Sequence, residues 1–321
     1  MRRLIIVLML CVAEVALSAQ EKDPVLVMFW NVENFYDWID QGGGESDREF
    51  SSYGERHWTR KRFYAKCDAL AKSILWIGDT YGRMPDVIGL AEVENRGVLH
   101  KLISSTLLRK YDYGIVHHDS GDRRGIDVAL LYRKSSLSPV SVTIKSPGDI
   151  PTRDILHVQM AHASGLQYDF IVNHHPSKYG GEKASEHKRS RVMSCLKELC
   201  DSLAGSGHDR IVAMGDFNDS PDGEQFGMVE YILENKGKRH HERKEGTIRY
   251  RGKWELIDNF LVAPCVGSSE MMVVKVPFLM TYDRRYPGKK PLRTYSGPRY
   301  TAGLSDHCPI IMIIYDQQSP K

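Results

Sequence analysis

Seven short apolar runs punctuate the chain, at 25–30 (VLVMFW), 86–92, 126–132, 168–173, 211–215, 256–263 and 309–314. Most are apolar at consecutive rather than alternating positions, which predicts strands covered on both faces. Two other stretches keep a helical period. Between Phe63 and Ile77, the residues Cys67, Leu70, Ala71 and Ile74 fall at i, i+3, i+4 and i+7. After Ser185, taken as an N-cap, the stripe Val192, Cys195, Leu196, Leu199, Leu203 runs on until Gly205 can stop it. Many strands with few helices predict a layered α/β fold rather than a strict βαβ alternation. The polar, glycine-bearing segments 40–57 and 234–253 are expected to be surface insertions, and 263–280 a core strand. No composition break follows residue 19, so residues 20–321 are expected to form one domain.

Composition changes this picture little. The 321 residues are 41% hydrophobic and 26% charged, an ordinary globular balance, and the formal charge of +3 is slight. Local basic clusters therefore say more about partners than the global charge does. Residues 1–19 follow another pattern: Arg2 and Arg3, an apolar run over Leu4–Val12, then small residues towards Ala19. That is the layout of a secretory signal peptide, which predicts an exported protein, periplasmic or secreted. The run is shorter than the ~20 residues of a transmembrane helix. A lipid anchor at Cys11 lacks the small residue expected before it. Cys67, Cys195, Cys200, Cys265 and Cys308 remain, an odd number that leaves at least one free thiol, without the paired spacing of a zinc site. Cys195 and Cys308 sit in apolar patterns and are expected in the core.

Candidate chemistry gathers where the apolar runs stop. The first runs into WNVEN, where an extended chain would put Asn31 and Glu33 on one face. The second ends at Glu92, which on extended geometry follows Ile88 and Leu90; a bare carboxylate there is costly unless paired or holding a metal. Others end in Asn173, His174 and His175, and in Asp216 and Asn218 with Phe217 turned inward. Asp258 lies inside an apolar strand, and Asp306 and His307 precede the last one. Any one of these is an ordinary turn, cap or satisfied core group; His240 and His241, for example, read as decoration of a solvated loop. The repeated placement at strand ends is what an active-site cleft requires. The set holds no nucleophile elbow, P-loop or dinucleotide fingerprint. Oxygen ligands without thiolates fit a hard cation, Mg²⁺ or Mn²⁺, and such an ion works with phosphate.

The motifs WNVEN, GLAEVEN, NHHPSKYGG, GDFNDSP, LIDNFLV and SDHCPI, in this order from about Val25 to Ile314, resemble the endonuclease/exonuclease/phosphatase superfamily. DRRGIDVALLYRK (122–134) and PLRTYSGPRYTAGLSDH (291–307) further resemble an exported bacterial subgroup. The resemblance implies a four-layered α/β/β/α sandwich, two packed sheets flanked by helices. It implies that Glu92 is the principal metal ligand, helped by Asn31, Glu33 and Asp306. It implies catalytic roles for His174, Asp216 and Asn218, and an acid–imidazole dyad of Asp258 and His307. Asn173, His175, Lys178 and Tyr132 become expected substrate contacts, with His175 the second choice for the histidine that meets the phosphate.

The implied activity is a secreted, Mg²⁺- or Mn²⁺-dependent phosphodiester hydrolase, foremost a nuclease on DNA or RNA. Basic and aromatic residues are interleaved in 59–64, 249–254 and 282–293, as a phosphate backbone with exposed bases would want. The rivals are a sphingomyelinase-like or inositol-phosphate hydrolase, and a non-catalytic binding module of the same fold. The complete polar set argues against the last. Nothing in the sequence calls for an obligate protein partner.

Overall fold

The computed structural model describes residues 24–148, 150–178 and 181–315. Residues 1–19, whose pattern predicts a signal peptide, lie outside the described residues. Two six-stranded mixed sheets dominate. The first has the order β13–β18–β1–β2–β4–β3, from β1 (Val25–Phe35), β2 (Val87–Val93), β3 (Tyr113–His117), β4 (Asp127–Arg133), β13 (Met272–Val273) and β18 (Ile310–Ile314). The second has the order β5–β6–β7–β8–β12–β9, from β5 (Leu137–Lys145), β6 (Ile155–His162), β7 (Gln167–His174), β8 (Ile211–Asp216), β9 (Glu234–Asn235) and β12 (Asp258–Val262). Three hairpins complete the strands: β10 (Ile248–Tyr250) with β11 (Lys253–Glu255), β14 (Met280–Tyr282) with β15 (Lys289–Pro291), and β16 (Tyr295–Ser296) with β17 (Arg299–Tyr300).

The unbroken apolar runs are explained by what covers each face. Along β1, Val25, Val27 and Phe29 pack with the second sheet, while Leu26, Met28 and Trp30 pack beneath helices α1 (Arg60–Thr80) and α2 (Arg96–Ser105). Helix α3 (Glu182–Gly205) covers the second sheet with Val192, Met193, Cys195 and Leu196. The result is the four-layered sandwich. Each fully buried Leu, Ile or Phe contributes about 1.5–3 kcal/mol through removal from water, so this double core carries the fold.

Several local expectations are corrected. Ser185 does not cap α3: the helix begins at Glu182, and the Ser185 hydroxyl lies inside it, donating to the Gly181 carbonyl at 3.0 Å. Gly181 takes the cap position at φ +115°, a conformation that disfavours any side chain. Helix α2 has too short an apolar stripe to stand out in the sequence, yet Asn95 caps it by accepting from the Val98 N–H. Segment 263–280 is mostly irregular, with β13 adding only two residues to the sheet edge. Segment 234–253 is structured, holding β9, the short helix α4 (Lys238–Glu242) and β10. His240 is buried there, with a ring nitrogen on the Met271 carbonyl, and does not decorate a loop. All five cysteines of the described chain are free thiols, and only Cys265 is exposed. No helix among the described residues is long and apolar enough to cross a membrane.

Candidate active site

The site lies where the facing surfaces of the two sheets run out of apolar residues. In the second sheet, His174, Asp216 and Asp258 stand side by side, because the register pairs His174 with Asp216 across β7–β8 and Asp216 with Asp258 across β8–β12. They continue the face that carries Val172, Met214 and Phe260, two residues earlier or later on the same strands. From the first sheet, Asn31 continues Val27 and Phe29, and its amide donates to Asp216 Oδ2 at 3.0 Å. Gly215 lets β7 and β8 close up at this point: a Cβ there would lie 2.5 Å from the Asn173 carbonyl oxygen.

His307 enters from the loop before β18. Its backbone is held by β1: the Trp30 indole N–H donates to its carbonyl at 2.9 Å, and its own N–H donates to Ser305 Oγ, which in turn donates to the Asn31 carbonyl at 2.7 Å. Nδ1 contacts Asp258 Oδ2 at 2.8 Å, while Nε2 lies 3.8 Å from Asp216 Oδ2. His174 Nε2 is 3.7 Å from the same oxygen. Asp216, Asp258 and His307 thus offer ligand-capable atoms within 4.8 Å of one another.

This crowding separates the proton affinities. Burial alone would discharge His307, but the Asp258 charge and hydrogen bond, then Asp216 and Asp306, outweigh it and lift its pKa well above the usual imidazole range. Burial and the Asp258 carboxylate push Asp216 up to about 7 against the pull of His307. His174 is held well below its ordinary value by burial and then by the Arg153 and Arg124 guanidinium groups, so it is a neutral ring.

Glu92, at the end of β2, is not part of that cluster but lies near enough for the His307 charge to act on it. Ile88 and Leu90 face the outer helices, and a fully extended Glu92 would follow them. It does not, because its φ is +62°, and Glu33 and Asn34 opposite are left-handed too, at +48° and +50°. Such backbone costs on the order of 1–3 kcal/mol per residue and persists where the surroundings enforce it. Here it brings Glu92 Oε2 to the Asn34 N–H at 2.8 Å and to the Arg124 guanidinium at 3.4 Å. Burial raises the Glu92 pKa, but Arg124 and the Asn34 N–H overcome this and hold it below the ordinary carboxylate value. The donor set of carboxylates, amides and imidazoles without thiolate fits a hard divalent ion, and both contacts on Glu92 fall on a single oxygen.

Other sequence assignments move. Both oxygens of Glu33 are engaged, one by Arg293 at 2.8 and 3.0 Å and the other by the Thr294 N–H at 2.9 Å, so an arginine answers its charge. Asp306 is half-exposed and shares Arg293, at 3.1 Å. Asn173 points to the opposite face from His174, fully buried, with its amide towards the Met214 carbonyl. His175 is also fully buried, its ring 5.0 Å edge-on from Phe217; burial and then Arg153 push its pKa down to about 3. It cannot meet a phosphate from there. Tyr132 pairs with Val87, the opposite end of the strand that carries Glu92, and lies far from the cluster. Lys178 is bonded to Asp219 at 3.1 Å. Asn218, left-handed at φ +50°, donates its amide to the His175 carbonyl and its N–H to Asp216 Oδ1, so it braces the acid.

Four cationic residues join the site without having been singled out in the sequence. Arg124 reaches Glu92, and Arg293 bridges Glu33 and Asp306. Arg153 is buried, tying Asp122 to the His175 carbonyl. Lys66 is buried in α1 and donates to the Glu33 carbonyl and to Thr294 Oγ1. Arg124 and Arg293 fall in the two segments, 122–134 and 291–307, whose pattern stood out; Lys66 and Arg153 carried no local signal.

A sandwich whose strand ends collect acids, amides and imidazoles around one point is a scaffold for phosphoester hydrolysis. The chain belongs to the Endonuclease/Exonuclease/phosphatase family, whose model matches residues 26–316. No curated protein matches the sequence. Solved structures with the same fold include an endonuclease/exonuclease/phosphatase family protein from Bacteroides thetaiotaomicron (16% identity, TM-score 0.58, 92% of this chain and 99% of that one). The mannosyl-6-phosphatase of Bacteroides thetaiotaomicron VPI-5482 is similar over 91% of this chain and 100% of its own, at 15% identity and TM-score 0.58. The D. rerio TDP2 complex with a single-strand DNA product matches over 92% and 100%, at 13% identity and TM-score 0.57. The chain is thus a member of a family of metal-dependent phosphoester hydrolases.

Proposed function

We propose that this protein is an exported, Mg²⁺-dependent phosphodiester hydrolase that acts on nucleic acid. The observation that carries the reading is the file His174–Asp216–Asp258 with His307 lodged against it, which places a neutral ring and a charged imidazole within 4 Å of one oxygen of the poised acid Asp216. Asp216 accepts a proton from the attacking water; Asn31 and Asn218 hold its two oxygens so that the water is met in one orientation. His307, kept protonated by Asp258, donates from Nε2 to the phosphate oxygens as negative charge grows there. His174 offers a second, uncharged contact. Glu92 would hold the cation, with Asn31 and Asp306 nearest in role, and the ion when bound supplies Lewis-acid polarisation of the phosphate and support for the leaving oxygen. Arg124 keeps the Glu92 carboxylate ionised and ready.

Purified protein should be offered plasmid DNA, RNA, a chromogenic phosphodiester, mannose 6-phosphate, sphingomyelin and an inositol polyphosphate, with Mg²⁺ and with EDTA. The expected result is EDTA-sensitive cleavage of the polynucleotides and of the small diester. Preference for the sugar phosphate or the lipid would overturn the substrate assignment, and turnover insensitive to EDTA would overturn the metal. Glu92→Gln should raise the Mg²⁺ concentration for half-maximal activity at least about tenfold, since even indirect partners of metal sites cost that much in affinity.

A further inference from the structure

Beside the site, the hairpins β10–β11 and β14–β15 pack against each other and form one surface from two separate segments of the chain. Arg249 fastens them, its guanidinium donating to the Gly252 and Lys289 carbonyls, at 3.1 and 3.2 Å, and to that of Pro287. Gly252 lies so close to Tyr286 that a Cβ would come within 2.9 Å of its ring root. Both hairpin bases are tied to the active site. Cys308, next to His307, donates its N–H to the Thr247 carbonyl at 2.8 Å, and Arg293, just past β15, holds Glu33 and Asp306.

The surface is strongly basic. Residues 247–255 and 280–293 hold eight lysines and arginines against Glu255 and Asp283, while the whole chain has an excess of only three. Two of its aromatics are exposed, Tyr250 at 56% and Tyr282 at 74%. Each has a cation beside its ring: Arg251 at 5.2 Å from Tyr250 and Lys289 at 5.3 Å from Tyr282. The β10 turn is unusual. Arg251 and Gly252 are both left-handed, at φ +47° and +82°, in a two-residue loop where asparagine–glycine is the favoured pair. Arginine at that strained position sets a guanidinium at the hairpin tip.

The geometry points to this double hairpin as the arm that binds a single-stranded polynucleotide, whose phosphates lie on Arg251, Arg284 and Arg285 and whose bases stack on Tyr250 and Tyr282. Cations track the backbone and exposed rings accept any base, which is how single strands are held without sequence preference. The destination of the strand rests on the phosphodiesterase reading above; the binding surface does not.

The test uses full-length protein in a His307→Ala background with Mg²⁺, so that a labelled thymidine strand of about 20 nucleotides survives during anisotropy titrations. Arg251→Glu, Arg284→Glu and Arg285→Glu together should weaken binding at least about tenfold near 50 mM salt. They should flatten the slope of log K against log salt by about 2, because each single-strand phosphate contact contributes ~0.7. Tyr250→Ala with Tyr282→Ala should weaken the single strand at least about fivefold and leave a duplex unaffected. In the otherwise native enzyme, the triple change should leave hydrolysis of the chromogenic diester unaltered. Unchanged oligonucleotide affinity and slope in both sets of variants would overturn the arm, as would loss of phosphatidylserine-vesicle binding in the triple variant with oligonucleotide binding intact. Cleavage of the small diester without arm-dependent oligonucleotide binding defeats this inference alone. Arm-dependent binding in a protein that cleaves no phosphoester defeats the functional reading alone.

Discussion

At the residue scale, the site works by pulling apart the proton affinities of neighbours. Asp216 is raised to about 7 and His307 well above its ordinary value, so the working state has the acid ionised and the imidazole charged. Activity should therefore climb as pH rises through about 7, with the ionisation of Asp216, and fall only when His307 loses its proton at much higher pH. Asp258→Asn removes the chief charge that holds the His307 proton, so the alkaline fall should move to lower pH in a pH–rate profile. His307→Ala should lower kcat by ~10²–10³, the usual loss for a donor aimed at developing charge, with an unchanged far-UV spectrum. Near-normal turnover by that variant would remove His307 from the mechanism. Asp216, Asp258 and His307 were legible because each interrupts an apolar run that has no use for charge. His175, Asn173 and Tyr132 were misplaced because a linear motif does not show which face of a strand a residue takes, or which end of the sheet it reaches. The partners Lys66 and Arg153 belong to other segments altogether, and only the folded chain brings them in.

Elements set these residues in place through close approach and local strain. Seven strands, β1, β2, β4, β7, β8, β12 and β18, were readable from continuous apolar runs, since two-sided burial leaves no alternation to misread, while β3, β5 and β6 of the two main sheets escaped. Less readable was the departure from extended geometry at Glu33, Asn34 and Glu92, where side-chain periodicity fails and the Glu92 carboxylate is re-aimed. Short α2 also escaped, because it is not long enough to establish a period, and the strand expected over 263–280 shrinks to the two residues of β13. Gly215 shows how tightly an element can constrain the site. The β7 backbone occupies the space a methyl group would need, 2.5 Å from Asn173 O, and rigid backbone cannot give way cheaply. Gly215→Ala should force β7 and β8 apart, cost about 1–3 kcal/mol as other overpacked cores do, and displace Asp216, which follows directly. Urea denaturation should show the lost stability, and kcat should fall by more than the small residual unfolded fraction explains. An alanine variant with native stability and turnover would show that the strands can open at that point without harm.

On the scale of the whole molecule, buried acids gather beside the sandwich core as well as in the site. Asp37 at the end of β1, Asp47 in the 40–57 segment and Glu94 just past β2 are all buried close together, with Lys101 of α2 on Asp37 at 2.9 Å. Asp47 ties down its segment by accepting from the Gln41 and Gly43 N–H groups, and Glu94 accepts from the Asp37 N–H at 2.6 Å. The segment expected to be a surface insertion is thus held together from within and tied to Asp37 by the Gln41 amide at 3.2 Å, something a charged, glycine-bearing composition conceals. Burial, with the Asp37 and Asp47 charges adding to it, pushes Glu94 up to about 8 from an ordinary 4.5. An acid whose pKa is higher in the folded state gives its full stabilisation below the unfolded value. As pH rises from 4.5 towards 8 the unfolded chain releases its proton first, and stability drains away at about 1.4 kcal/mol per unit. Glu94→Gln keeps an acceptor for the Asp37 N–H and abolishes the titration. The difference in unfolding free energy between the variant and the wild type should therefore shift in favour of the variant across pH 4.5–8 and level off above it. Parallel stability curves over that range would mean that Glu94 ionises in the folded protein as easily as in the unfolded chain, and that Lys101 or solvent answers the acidic knot instead of a proton.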